Sequence, residues 1–310
     1  MNKVKLGHTG LEVSRLCFGS LALSPLQREI SPEEAGEILL TSFRLGINFV
    51  DTAQYYRNYA QIAAGLSRFD GEVVIASKTY AYTREMARDA VEEARAALGR
   101  DVIDIFLLHE QESEHTLRGH APALEYLYDC KARGIVRAVG ISTHHAAGVT
   151  AAARAGLDVV HPLINIAGIG IADGSREDME RAITAAREAG LGVYAMKALG
   201  GGHLHASAAE ALTYALAWGD SLALGMRSAD EVRADIAFVE TGKFPDVPSL
   251  SRAARSLYVE EHCTGCGACL PACKSGALTV KNGRAVCDAS RCVLCGYCGG
   301  RCADFCLKII

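Results

Sequence analysis

A single tryptophan, seven prolines and 6% aromatic residues leave this 310-residue chain few large rings to build around, so its core must come from aliphatic side chains. No apolar run approaches the roughly 18 residues that a membrane-spanning helix needs. A net charge of −4 supplies no basic field for nucleic acid or an anionic membrane, so neither is expected as a partner. The opening Met1-Asn2-Lys3-Val4-Lys5 lacks the long apolar core of an export signal. Without an export route, twelve cysteines point to a reducing cytoplasm, where thiols stay available to metal. Missing too is a Gly-x-Gly-x-x-Gly run after the first predicted strand, which argues against a doubly wound dinucleotide-binding sheet.

What the chain has in plenty is cysteine at its far end. Cys263, Cys266, Cys269 and Cys273 are spaced C-x2-C-x2-C-x3-C, and Cys292, Cys295, Cys298 and Cys302 repeat that spacing 29 residues later. Two such runs are the ligand set for two [4Fe–4S] clusters, the fourth cysteine of each run ligating the other run's cluster. Cluster I then takes Cys263, Cys266, Cys269 and Cys302; cluster II takes Cys292, Cys295, Cys298 and Cys273. A disulfide framework would want an oxidising compartment. Zinc sites pair two C-x-x-C knuckles and have no use for three short steps in a row. Some 50 residues from Glu261 are too few to fold on apolar burial alone, so cluster ligation is expected to supply much of their folding free energy.

Earlier in the chain the pattern is strand then helix, eight times over. Apolar, β-branched runs read as buried parallel strands at 14–20, 47–53, 72–78, 103–109, 136–142, 158–163, 192–197 and 221–226. A leading hairpin joins Val4–Leu6 to Leu11–Val13, and Ser31-Pro32-Glu33-Glu34 and Ser228-Ala229-Asp230-Glu231 carry helix-start chemistry. Eight such units in about 240 residues predict an α/β chain folded as a (β/α)8 TIM barrel over 1–244. A linker with a short basic helix around Arg252 to Tyr258 is expected over 245–260, then a small α+β ferredoxin-like domain over 261–310.

A barrel of this kind does its chemistry at the carboxyl ends of its strands. Asp51, Lys78 and His109 end strands two, three and four, and Tyr56 follows Asp51 in its loop; complementary ionisable groups at neighbouring strand ends point to a shared site. The words Lys5-Leu6-Gly7-His8-Thr9-Gly10-Leu11-Glu12-Val13-Ser14, Asp51-Thr52-Ala53-Gln54-Tyr55-Tyr56, Ser77-Lys78, Asp104-Ile105-Phe106-Leu107-Leu108-His109 and Gly140-Ile141-Ser142 resemble the aldo-keto reductase family. Met196-Lys197-Ala198-Leu199-Gly200-Gly201-Gly202 and the cysteine tail resemble its subgroup fused to a bacterial-type ferredoxin.

The resemblance implies interconversion of a small carbonyl compound and an alcohol by hydride transfer with NADP(H), or alternatively NAD(H). Tyr56 would be the acid/base, its pKa lowered by the Lys78 ammonium, with Asp51 holding Lys78 and His109 orienting the substrate oxygen. It also implies a nicotinamide across the barrel mouth near Gly19, Ser20, Asp51, Ser142, Thr143, His161, Met196 and Lys197. The adenosine end would rest near Gly225, Arg227 and Ser228, where a helix N-terminus and a guanidinium form an anion site. Glu231 and Asp235 place negative charge where the family commonly has neutral side chains.

Clusters move single electrons and a nicotinamide moves a hydride, so the tail is read three ways: as structure, as a redox sensor, or as a relay from an external one-electron carrier. The relay would drive a reductase without bound nicotinamide. Five further residues complete the reading. Cys17 and Cys130 are expected as buried thiols, and Cys306 as packing. His203 and His205, after three glycines, are expected as loop residues at the pocket rim.

Overall fold

Strands that are apolar on both faces cannot leave either face in water, and this chain buries both by closing a sheet on itself and wrapping it in helices. A computed structural model describes residues 1–27, 30–246 and 255–310. It begins with an antiparallel pair, β1 (Lys3–Lys5) and β2 (Glu12–Ser14). The eight barrel strands are β3 (Leu16–Gly19), β4 (Phe49–Asp51), β5 (Val74–Thr79), β6 (Ile103–Leu108), β7 (Val136–Thr143), β8 (Val159–Pro162), β9 (Gly192–Ala195) and β10 (Ser221–Leu224). Each falls within a predicted run or overruns it by one residue. They close in the order β10-β3-β4-β5-β6-β7-β8-β9, every pair parallel.

The helices around them are α1 (Pro32–Arg44), α2 (Tyr59–Leu66), α3 (Arg84–Leu98), α4 (Glu114–Gly119), α5 (Ala121–Ala132), α6 (Ala146–Arg154), α7 (Arg176–Glu188), α8 (Ala208–Trp218) and α9 (Ala229–Thr241). Their starts follow the predicted chemistry. Ser31 accepts from the Glu34 amide at 3.1 Å with Pro32 at the first helical position, and Ser228 accepts from the Glu231 amide at 3.1 Å.

Alternation along the strands sorts the core into two shells. On β6, Ile105 and Leu107 join the group inside the barrel with Cys17, Phe49, Ala76, Ala138, Val159 and Tyr194. Phe106 and Leu108 join the larger layer beneath the helices. Leu6, Leu11 and Val13 belong to the inner group, so the leading hairpin stops the bottom of the barrel.

Beyond the barrel, β11 (Leu257–Val259) pairs antiparallel with β14 (Leu307–Ile309), and β12 (Leu278–Lys281) with β13 (Arg284–Cys287). A 3-10 turn covers Gly299–Arg301. The basic helix expected around Arg252 to Tyr258 is corrected in part: 252–254 lie outside the described residues, and Leu257–Val259 is a strand because Leu307–Ile309 supplies its ladder. Among the described residues, no helix is long and apolar enough to cross a membrane.

Candidate active site and cysteine cage

Strand parity delivers the ionisable residues to one place. Asp51 lies two residues beyond inward-facing Phe49, Lys78 two beyond Ala76, His109 two beyond Leu107, and His161 two beyond Val159. Side chains alternate across a strand, so all four point into the barrel at its carboxyl end. Tyr56 comes from the short 3-10 turn Gln54–Tyr56 just after β4.

The Lys78 ammonium donates to Asp51 Oδ2 at 2.8 Å and to the Thr52 carbonyl at 2.7 Å, and lies 3.5 Å from the Tyr56 hydroxyl. Asp51 and Lys78 are 4% and 1% exposed, so the pair is dry and its two charges depend on each other. The His109 ring stands edge-on to Tyr56 at 5.8 Å and stacks on Tyr80 at 4.4 Å, and its buried Nδ1 has no hydrogen-bond partner among the described residues. Burial first, then Lys78, holds His109 well below its usual pKa, so it is neutral at pH 7.

Tyr56 departs from expectation. Burial pushes its phenol well above the usual value, and Asp51, Glu110 and Tyr80 push the same way. Lys78 is close enough to act, yet the carboxylate it carries behind it offsets its charge. The phenol therefore keeps its proton at neutral pH.

One member of the constellation was missed in the sequence. Tyr194, on β9, donates to Asp51 Oδ1 at 2.9 Å and stacks on His161 at 3.9 Å. Its inward parity on a predicted strand was the available signal. His161 Nδ1 donates to the Tyr194 carbonyl at 2.6 Å, and burial lowers the His161 pKa to about 4.

The chain matches the aldo/keto reductase family over residues 15–215 and a 4Fe-4S binding domain over 257–279. It belongs to the aldo/keto reductase family. It is 29% identical over 160 residues to L-galactose dehydrogenase of Arabidopsis thaliana, covering 46% of this chain and 49% of that one. A D-threo-aldose 1-dehydrogenase of a Pseudomonas species is 25% identical over 186 residues, covering 49% and 56%. The chain thus spans about half the length of the curated relatives it matches. In fold it is similar to an aldo-keto reductase from Bacillus halodurans, with TM-score 0.64 and 22% identity over 78% of this chain and 91% of that one.

Around the tetrad stand the other family-implied positions, several of whose polar atoms are engaged within the chain. The Ser142 hydroxyl accepts from the Glu110 amide at 3.0 Å, the Thr143 hydroxyl from the His145 amide at 2.9 Å, and the Ser20 hydroxyl from Asn58 at 3.1 Å. A methyl on Gly19 would meet the Leu224 carbonyl at 3.0 Å, and one on Gly225 the Ala22 side chain at 2.9 Å. Met196 is half-buried and bridges to Leu163. Ser228 caps α9, and the Arg227 amide donates to the Glu231 carboxylate at 2.7 Å. Asp235, one turn on, is pushed up to about 7 by burial and Glu231. Two acids, Glu231 and Asp235, thus stand beside the expected phosphate position, and the Arg227 amide is already committed to one of them.

Cluster chemistry fits better. The thiols that bear electrostatically on Cys269 are Cys302, Cys263 and Cys266, the predicted set for cluster I. Cys287 lies against Cys292 with Cys273 and Cys298 next, three of the four thiols predicted for cluster II, and Cys295, the fourth, bears on Cys298. Among the described residues no three ligands converge as a single metal ion requires; a cubane's four thiolates bond four separate irons and need no such convergence. Amides are already aimed at sulfur, from Ala277 to Cys273 at 3.2 Å and from Cys306 to Cys302 at 3.2 Å. The Ser275 hydroxyl and such amides pull the Cys273 thiol down, favouring thiolate.

The tail lies on the mouth. Ile309 donates its amide to the Gly201 carbonyl at 2.7 Å, His203 Nε2 donates to the Leu307 carbonyl at 2.7 Å, and the Tyr258 hydroxyl donates to the Leu26 carbonyl at 3.1 Å. Phe305 packs edge-on to His144 at 6.0 Å, with Lys197 Nζ 5.6 Å and Lys308 Nζ 3.1 Å from its ring centre. Lys308 is 6% exposed, and burial, then Lys197, lowers its pKa to about 6. His203, expected at a pocket rim, is instead an interface residue.

Proposed function

We propose that the mouth interconverts a small carbonyl compound and the corresponding alcohol, with Tyr56 as proton donor in reduction and proton acceptor in oxidation. The observation that carries this is the Lys78 ammonium standing between the Asp51 carboxylate and the Tyr56 hydroxyl. A carbonyl oxygen that gains an electron pair needs a proton at once, and Tyr56 is the acid in reach. Neutral His109, with its ring beside Tyr56, orients that oxygen. Lys78 and Asp51 fix the phenol and buffer the charge it leaves.

By this reading the tail holds two [4Fe–4S] clusters in the crossed ligand sets, as a domain over 261–310 following the barrel of 1–244 and a linker. Bound clusters supply or accept single electrons. NADP(H), in preference to NAD(H), is the hydride source that the family suggests, with Arg227 and the start of α9 supporting the choice and Glu231 opposing it.

Docking of the tail on the mouth favours a second reading, a relay from an external one-electron carrier. Two clusters store two electrons, and a carbonyl needs two electrons and two protons to become an alcohol. Such an acceptor must tolerate a one-electron intermediate, which restricts it to conjugated, quinone-like carbonyls. Anaerobic purification with iron and sulfide assay, followed by assays of carbonyl reduction with NADPH and with reduced ferredoxin on one sample, decides between them. Activity with neither donor rejects both.

A further inference from the structure

The tail covers one half of the mouth. Its contacts fall on the segments after β3 (Leu26), β7 (His144), β8 (Gly170) and β9 (Lys197 and Gly201 to His203). The tetrad's own segments, after β4, β5 and β6, carry Tyr55, Tyr80 and Tyr82 at 50%, 41% and 56% exposure. The covered half includes the stretch from His144 past Lys197, beside the Ser142 and His161 positions where the family resemblance puts a nicotinamide.

The covering is built into both surfaces. Gly200, Gly201 and Gly202 all have left-handed backbone, with φ of 56°, 67° and 86°. A methyl on Gly202 would come within 1.9 Å of the Ile309 carbonyl, and one on Gly201 within 2.8 Å of the Lys308 side chain. On the tail's side, a methyl on Gly296 would meet the His203 carbonyl at 2.7 Å. Backbones this close tolerate only glycine. The run that could pass for a phosphate cradle is thus spent on the tail. His203 is 6% exposed beneath Leu307, its Nε2 bonded and its Nδ1 without a partner among the described residues.

We propose that the docked tail and a nicotinamide dinucleotide are alternative occupants of the groove over the ends of β7, β8, β9 and β3. The cluster-loaded tail closes the groove, and a tail lifted from it opens the groove to nucleotide. The proposal rests on reading the tail as cluster-bearing. The docking segment hangs directly on a cluster I ligand: the Phe305 amide donates to the Cys302 carbonyl at 3.0 Å and the Cys306 amide to its sulfur at 3.2 Å. Loss of that cluster removes the anchor.

The test is NADPH fluorescence titration of the full chain, prepared anaerobically with iron content verified, as wild type, Phe305→Ala and His203→Ala. The variants should bind at least tenfold tighter than wild type, and saturating NADPH should accelerate hydrogen exchange at the Ile309 amide of wild type. Equal affinity in all three, Ile309 protection unchanged by bound nucleotide, or no saturable binding in any would overturn the proposal. Should Phe305→Ala lose iron, His203→Ala decides, since it leaves the tail's sequence intact. None of these readouts depends on Tyr56 being the acid, so this proposal and the catalytic reading fail separately.

Discussion

Lys78 and Asp51 meet at 2.8 Å in the driest part of the barrel, and the carboxylate's second oxygen is taken by Tyr194 at 2.9 Å. Neither charge has water to fall back on. Asp51→Asn, which strands the ammonium, should lower stability by about 3–5 kcal/mol. Denaturant unfolding of Asp51→Asn, Lys78→Met and the double variant checks this. A coupling near zero in that cycle would reject the pair as a unit.

Tyr56→Phe should reduce turnover by about 10²–10⁴-fold while leaving the fold intact. With the phenol held above its ordinary value, reduction should be flat through neutral pH and fall only when the phenol ionises in alkali. Oxidation needs phenolate and should rise with pH. Reversed profiles would remove Tyr56 from the acid role.

Buried imidazoles set an acid limit on the fold. His161 is depressed to about 4 and His144 to about 3, both chiefly by burial. Unfolded histidine titrates near 6.5. Between those values the unfolded chain binds protons that the folded one refuses, so stability is complete above about pH 6.5 and declines as pH falls towards 4. His161→Gln should flatten part of that slope in urea titrations at pH 7 and pH 5, and an unchanged slope would place the sensitivity elsewhere.

The crossed cysteine sets make a selective prediction. Cys302→Ala should remove cluster I and Cys273→Ala cluster II, each roughly halving the iron from about eight per chain. Cys287→Ser should retain both clusters. Parallel iron assay and EPR would read the outcome, and loss of iron on Cys287→Ser would mean that the ligand sets are misdrawn.

Much of this was legible because it is local or periodic. Eight apolar runs forecast eight barrel strands, and parity along them carries Asp51, Lys78 and His109 to one rim. Tyr194 was available to the same reasoning. The tail's position was not, since His203 and Leu307 meet across 104 residues and neither carries a local signal of the other. The same blindness made Leu257 and Tyr258 look helical, because a strand's partner decides its state more than its own residues do. The Tyr56 phenol also escaped: residue types alone put a cation beside it, while the enclosing barrel and the acid behind that cation determined the sign.

The lopsided cover over the barrel also says where selectivity can be altered. An incoming molecule meets the phenols of Tyr55, Tyr80 and Tyr82 first, on the side left open. Changing what the protein accepts is a matter of resurfacing that tyrosine porch, because edits to the long segment after β9 would disturb the seat of the tail before they touched the guest.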